Sequence, residues 1–322
     1  MITKTNPLPA FPDPVKLRRR VKLRDLDTLI EVVRVGGIHK AAETLNLSQP
    51  AVSKAIAQLE ETFGVPLLER SPKGVTPTPY GRALIRHGGA IFDQLRQGVN
   101  EIGYLADPSG GDLCVGCGES LMASLAPVLI DRMHRQRPRL KFSMETGDSP
   151  LLVNHFLRER ICELVLLRPW ADLTDPDLHF ESLFHERIFA VAGTGSPWAR
   201  RRKVRLEELL DQPWILSHNE IRHGSPTRAA FDAVGAGLPS KLILSGSLNL
   251  RHALLATGRY LTVVPETVVK FCGPNSGYKV LPVDLPRWEI ATMIVTLAHR
   301  NLSPLAEMFM QCTREVAAGL DR

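Results

Sequence analysis

Residues 38–57 read IHKAAETLNLSQPAVSKAIA, and this stretch decides the architecture of the chain. Ala41, Ala42 and Leu45 recur at helical spacing and predict a short helix from Ile38. Asn46-Leu47-Ser48 is the turn after it. Ser48 is a good N-cap, and Pro50 is tolerated in a first turn because its missing N–H would have been unpaired there. A longer helix then runs from Gln49 to about Thr62. Val52, Ile56, Leu59 and Phe63 form its inward stripe, at steps of four, three and four. Upstream, Leu26, Leu29, Ile30 and Val33 predict another helix, stopped by Gly36-Gly37. Downstream, Gly64-Val65-Pro66 ends the long helix. Residues 67–70 and 75–76 then read as short strands around Ser71-Pro72-Lys73-Gly74, a small hairpin. Three helices and a hairpin make a winged helix-turn-helix over 21–78.

The helix that begins at Gln49 turns Ser48, Gln49, Pro50, Ser53, Lys54 and Ala57 away from its apolar stripe. The major groove of DNA is about 12 Å wide and admits one helix. Such a helix reads bases with short or flexible hydrogen-bonding groups at its N-terminal end, and uses cations to hold phosphate. Gln49 and Ser53 suit base edges, and Lys54 suits guanine or phosphate. That face alone fits a solvated amphipathic helix equally well; the short helix before it and the hairpin after it favour DNA. Arg70 and Lys73 on the hairpin then suit phosphate or the minor groove. Charge agrees: of the formal net charge of +6, residues 1–106 supply +5, with 15 Lys and Arg against 10 Asp and Glu.

Residues 1–20 read as a disordered basic arm, broken by Pro7, Pro9, Pro12 and Pro14 and ending in Arg18, Arg19 and Arg20. Over 79–106 a long helix carries Leu84, Gly88, Ile91, Leu95, Val99, Ile102 and Leu105 in one stripe. With no core of its own it calls for a second copy of the chain. Residues 107–111 form a hinge. Beyond it strands and helices alternate, as expected of an α/β domain with parallel strands; 188–192 and 290–298 are two of those strands. No apolar run is long enough to span a bilayer, and five scattered cysteines favour reduced thiols, so a cytoplasmic protein is expected. Cys114 and Cys117 lie three apart on a strand and so on opposite faces, which rules against a shared disulfide or metal and suggests core thiols. The histidines show no metal-ligand spacing. No nucleophile elbow, P-loop or paired-carboxylate motif is present, which argues against an enzyme.

The segments Leu23-Arg24-Asp25-Leu26, Gly37-Ile38-His39-Lys40-Ala41-Ala42, Leu47-Ser48-Gln49-Pro50-Ala51-Val52-Ser53 and Phe63-Gly64-Val65-Pro66-Leu67-Leu68-Glu69-Arg70 resemble the LysR-type transcriptional regulators closely. His39 stands where that family has Thr or Ser, and Arg160 and Glu163 where a Gly and an Asp are common. The resemblance implies an α+β multidomain chain: a winged helix-turn-helix, a linker helix over 79–106, and a two-lobed α/β effector domain over 112–322 like type 2 periplasmic binding proteins. Lobe one would comprise 112–185 and 290–322, lobe two 186–289. It further implies a dimer or tetramer on a dyad operator in double-stranded DNA, contact with RNA polymerase if the protein activates, and a small-molecule effector held between the lobes. That effector changes DNA binding or bending. Ser120 at a helix start, Asp148 and Ser149 in a capping loop, Arg168 at the crossover, His218 and Asn219 after a strand, and Ser247 at a helix cap would face it, and suit a carboxylate-bearing ligand. Each serine is equally a plain N-cap, and Arg168 an ordinary ion-pair partner. The competing reading is an α/β solute-binding protein or enzyme with a helical appendage, which leaves residues 38–76 without a purpose. A nucleoid protein leaves the effector half without one.

Overall fold

The computed structural model describes residues 14–72, 74–169, 175–235, 237–272, 277–283 and 289–320. The chain forms two compact units, residues 1–96 and 97–322.

In the first unit α1 (Pro14–Arg20) is a helix where the sequence suggested an irregular arm; Pro14 falls at its first position, where proline is tolerated. The rest of that arm, residues 1–13, lies outside the described residues. α2 (Leu23–Val35) closes on Gly36 in the left-handed conformation. α3 (Ile38–Thr44) and α4 (Gln49–Phe63) follow. Between them Asn46 takes φ 53°, and the Leu47 N–H donates to the Ala42 carbonyl at 2.9 Å, which closes the end of α3. Asn tolerates this conformation better than most residues. Ser48 caps α4 by accepting from the Ala51 N–H. Leu29, Val32, Ala41, Val52, Ile56 and Leu59 make the core, with Phe63 and Leu47 partly buried against it.

β1 (Leu68–Ser71) and β2 (Gly74–Pro77) pair antiparallel. Two contacts fix this hairpin to the helices. The Glu60 carboxylate accepts from the Leu67 and Leu68 N–H groups at 2.8 and 3.3 Å, and the Val75 N–H donates to the Gly36 carbonyl at 3.1 Å. α5 (Pro79–Ala106) starts at Thr78, whose hydroxyl donates to the Pro66 carbonyl and accepts from the Gly81 N–H. Gly81 lies so close to the hairpin that a Cβ there would stand 2.0 Å from the Leu67 carbonyl oxygen. The start of α5 has a core after all, contrary to the sequence expectation. Leu84 packs against the helical core, and Gly88 is buried next to Ile30 and Leu26. The stripe is exposed only from Ile91 onward, through Leu95, Val99, Ile102 and Leu105.

The second unit begins with β3 (Gly110–Gly118), α6 (Glu119–Gln136) and β4 (Arg139–Gly147). A single turn, α7 (Ser149–Leu151), widens into π-type helix over Leu152–Leu157 before β5 (Leu164–Leu167). Next come β6 (Leu178–Gly193), β7 (Pro213–Leu216), α8 (Pro226–Ala233), β8 (Lys241–Leu244), α9 (Leu248–Ala256), β9 (Leu261–Pro265) and α10 (Glu266–Cys272). β10 (Tyr278–Val280), β11 (Glu289–Leu297) and α11 (Pro304–Ala318) complete it.

The sheet is mixed, which corrects the expectation of parallel strands. Its order is β4-β3-β5-β11-β6-β9-β7-β8, with β10 also on β6. β3 runs parallel to β4 and β5, and β7 parallel to β8 and β9, but β11 and β6 are antiparallel to their neighbours. The strand expected at 188–192 is the second half of the sixteen-residue β6. Its first half carries Glu181, His185, Glu186 and Arg187, and so does not read as a buried strand. Residues 178–187 of β6 pair with β11, and 188–192 pair with β9. One strand thus joins two sheet halves, each with its own core: Leu113, Leu121, Leu125 and Phe309 in the first, Trp214, Phe231 and Leu261 in the second.

Candidate functional site

In the first unit, Ser48, Gln49, Pro50 and Lys54 are exposed at the start of α4 and Ser53 is half-buried, while Val52, Ala55, Ile56 and Leu59 point into the core. Burial of that stripe against α2 and α3 leaves α4 no freedom to rotate, so it is packing that turns the polar side chains outward. Arg70 is exposed on β1, across from Val75. Lys73 lies outside the described residues. His39 is exposed on α3, with its Nδ1 3.5 Å from the Glu43 carboxylate.

The second unit holds a cavity of about 1230 Å³, larger than the roughly 300–1000 Å³ usual for small-molecule sites. Ser120, Asp148, Ser149, Arg168, His218, Asn219 and Ser247 all line it. They come from both sheet halves, because the loops after β3, β4, β5, β7 and β8 open on one space. Helices α6, α7, α8 and α9 all begin at this wall.

The roles of these side chains differ from one another. Asp148 caps α7, accepting from the Leu151 N–H at 2.9 Å. Ser149 is not the cap; it is buried and donates to the Arg168 carbonyl at 2.9 Å. Ser247 caps α9 and Ser225 caps α8. α6 differs: its N-cap is Gly118, so no side chain caps its first turn, and Ser120 sits in that turn. His218 is exposed and Asn219 half-buried on the loop after β7.

Arg168 is not an unmatched cation. Its guanidinium is bound to the Glu186 carboxylate through Nη2 and through Nε at 3.0 Å. It also donates to the Ser120 hydroxyl, and to the Thr267 hydroxyl at 3.2 Å. A second arginine on the wall, Arg251, is matched as well, holding both Glu220 oxygens at 3.0 and 2.8 Å. Neither arginine therefore offers the cavity a spare positive charge.

Residues 23–82 match the bacterial regulatory helix-turn-helix protein of the lysR family, and residues 106–318 match the LysR substrate binding domain. The chain belongs to the LysR family. It is a DNA-binding transcriptional regulator with an effector-binding domain. Among curated relatives of this LysR protein, the HTH-type transcriptional regulator GbpR of Azospirillum brasilense is 28% identical over 306 residues, covering 94% of this chain and 89% of its own. PcaQ of Agrobacterium fabrum is 28% identical over 302 residues, covering 94% and 97%. Solved structures share the fold. A full-length OxyR variant from Pseudomonas aeruginosa superposes with a TM-score of 0.61 at 22% identity, covering 92% of this chain and 94% of its own. Full-length CbnR complexed with its target DNA gives 0.61 at 17%, covering 92% and 99%.

Three residues at the cavity of this LysR regulator escape sequence reasoning. Glu186 is buried midway along β6 and also accepts from the Thr267 N–H at 2.8 Å and the Thr292 hydroxyl at 3.1 Å. A lone carboxylate just ahead of the apolar run at 188–192 is the one signal that marks it. Glu119 accepts from the Leu248 N–H at 3.0 Å, so a carboxylate from the first sheet half supplements the α9 cap in the second. Glu220, which matches Arg251, has no local signature at all.

Arg168→Ala leaves Glu186 buried without its guanidinium. Urea denaturation should show a loss of about 3–5 kcal/mol. Glu186→Leu combined with Arg168→Met should recover most of it; a double variant as unstable as Arg168→Ala would mean that the pair is not what holds this wall.

Proposed function

We propose that two copies of the chain bind a dyad operator in double-stranded DNA through α4, and that an anionic, carboxylate-bearing small molecule in the cavity controls this binding or the bend it imposes. The exposed start of α4 supports base contact by Gln49 and Ser53, with Ser48, Pro50, Lys54 and Arg70 placed for backbone or groove contact. Lys73 joins them on sequence grounds. The exposed part of the α5 stripe supports self-pairing, since five large apolar side chains along one helix line need covering. In this reading the protein acts in the cytoplasm, binds its effector without turning it over, and meets RNA polymerase where it activates. No described helix is long and apolar enough to cross a membrane.

The observation that carries the effector class is the uncapped first turn of α6, with the Ser120 hydroxyl and the Arg168 Nη1 beside it on the cavity wall. Free N–H groups at a helix start favour negative charge. His218, Asn219 and Ser247, with Asp148 and Ser149, then complete the shell around the bound molecule.

Gln49→Ala and Ser53→Ala should narrow the gap between operator and random-sequence affinity, with little change in non-specific binding. An unchanged ratio in competition footprinting would remove them from base readout. Ile91→Glu with Leu95→Glu should yield monomers in sedimentation, and dimers like the wild type would discard the stripe as an interface. In thermal shift, some member of a panel of small mono- and dicarboxylates should stabilise the protein, by about 2.7 kcal/mol at a hundredfold excess over its Kd. Its neutral amide should not; equal stabilisation by acid and amide would end the anionic reading.

A further inference from the structure

β3 and β5 are parallel neighbours, in register from Val115 opposite Leu164. One residue before Val115 stands Cys114, and two before Leu164 stands Cys162. Their sulfurs are 2.9 Å apart, and both are thiols. The sequence argument that separated Cys114 from Cys117 holds: Cys117 faces the other side of β3 into the core, where burial pushes its thiol up to about 12. The partner of Cys114 instead comes from 48 residues further along. Regular structure holds the two in place. The Glu163 N–H donates to the Cys114 carbonyl at 3.4 Å, the Cys162 N–H to the Phe156 carbonyl at 2.8 Å, and Arg300 Nη1 to the Cys162 carbonyl. A disulfide needs sulfurs about 2.05 Å apart, so closing the bond moves them by less than about 1 Å.

We propose that Cys114 and Cys162 are a peroxide-responsive dithiol–disulfide pair in the effector domain. The two sulfurs differ in ways that assign their roles. Cys114 is half-buried and within reach of a small oxidant. Cys162 is fully buried, and its hydrogen bond with Cys114, then burial, hold its thiol protonated well above the ordinary range. Cys114 as thiolate attacks one peroxide oxygen: the S–O bond forms, the O–O bond breaks, and the departing hydroxide takes up a proton to become water. Cys162 then attacks the sulfenic sulfur of Cys114. The S–S bond forms, the S–O bond breaks, and the hydroxyl leaves with the Cys162 proton as a second water. Two thiols are oxidised by two electrons in all, and one peroxide is reduced to two waters.

The location gives the pair a regulatory consequence, which rests on the effector reading of the cavity. β3 leads into Glu119 and Ser120, and β5 leads into Arg168. Ser120 and Arg168 are hydrogen-bonded to each other on the cavity wall. A disulfide between the middle of β3 and the residue two before β5 fastens together the elements that carry them.

The test uses the full chain treated with hydrogen peroxide, quenched, denatured and alkylated, with cysteine peptides mapped by mass spectrometry before and after reduction. Alkylation of Cys114 and Cys162 should fall together, and they should appear as one linked peptide pair two hydrogens lighter that dithiothreitol returns to thiols. Cys117 and Cys312 should stay alkylatable. Cys162→Ser should stop at a sulfenic acid on Cys114 that dimedone labels, while Cys117→Ser oxidises like the wild type. The proposal is overturned if Cys114 and Cys162 remain alkylatable under peroxide, or if either links to another cysteine instead. The wild-type map decides this even if Cys162→Ser does not fold. It also needs no effector, so a failed carboxylate screen leaves it standing.

Discussion

A carboxylate taken out of water has to be met by donors, and that requirement at Glu186 organises the effector unit. The residue sits where β6 stops pairing with β11 and starts pairing with β9. Three elements send donors to this residue of β6: Arg168 from the end of β5, the Thr267 N–H from the start of α10, and the Thr292 hydroxyl from β11. An apolar residue there would pack just as well against one sheet half alone. The charge instead fixes the ends of several elements in relation to one another, and it fixes Arg168. That arginine then has one nitrogen left to reach Ser120, so the cavity wall inherits its geometry from an ion pair whose guanidinium lines the cavity and whose carboxylate lies behind it. Buried pairs of this kind contribute little net stability, while removal of one partner costs much more because it strands the other charge.

The polar groups on the cavity wall follow from how strands and helices connect. β3, β4, β7 and β8 each hand over to a helix whose first turn opens on the cavity. Four helix starts around one space concentrate unpaired N–H groups, and three of them are answered by the chain's own side chains: Asp148, Ser225 and Ser247. Glu119 adds a carboxylate at α9. Only α6, capped by glycine, lacks a side-chain answer. The difference among four otherwise similar helix starts, rather than any one of them, is what singles out α6 in the proposed effector reading.

The first unit was largely legible in the sequence because its signals are local. Ser48 caps α4 by a bond that spans three residues, Gly36 and Gly64 end helices by their own backbone conformation, and the stripe of Val52, Ile56 and Leu59 declares its period within eight residues. Even there, the hold of Glu60 on the hairpin, seven and eight residues on, passed unnoticed. In the second unit the deciding partners are far apart in the chain: Arg168 with Glu186, Glu119 with Leu248, Cys114 with Cys162. No periodicity links such positions. The mixed sheet was missed for the same reason, since strand direction is set by pairing across more than a hundred residues, as in Thr296 opposite Leu164. The loops after strands were readable as polar and capping, and the structure brings them to one wall; which of those side chains were already engaged was not readable at all.

The same distinction bears on how α5 is used. Its first turns are spoken for: Gly81 admits the Leu67 carbonyl, and Gly88 admits Ile30. Substituting larger residues at these points would push the helix off the hairpin and off α2, so the start of α5 and α4 belong to one packed unit. From Ile91 on, the apolar residues of the stripe are exposed. A stripe on one helix that is covered by the same stripe on a second copy is related to it by a two-fold axis, because each surface must present to the other what it receives. Two rigid reading heads related by such an axis meet two half-sites in opposite orientation, so dyad symmetry in the target follows from the helix stripe rather than from any residue that touches a base.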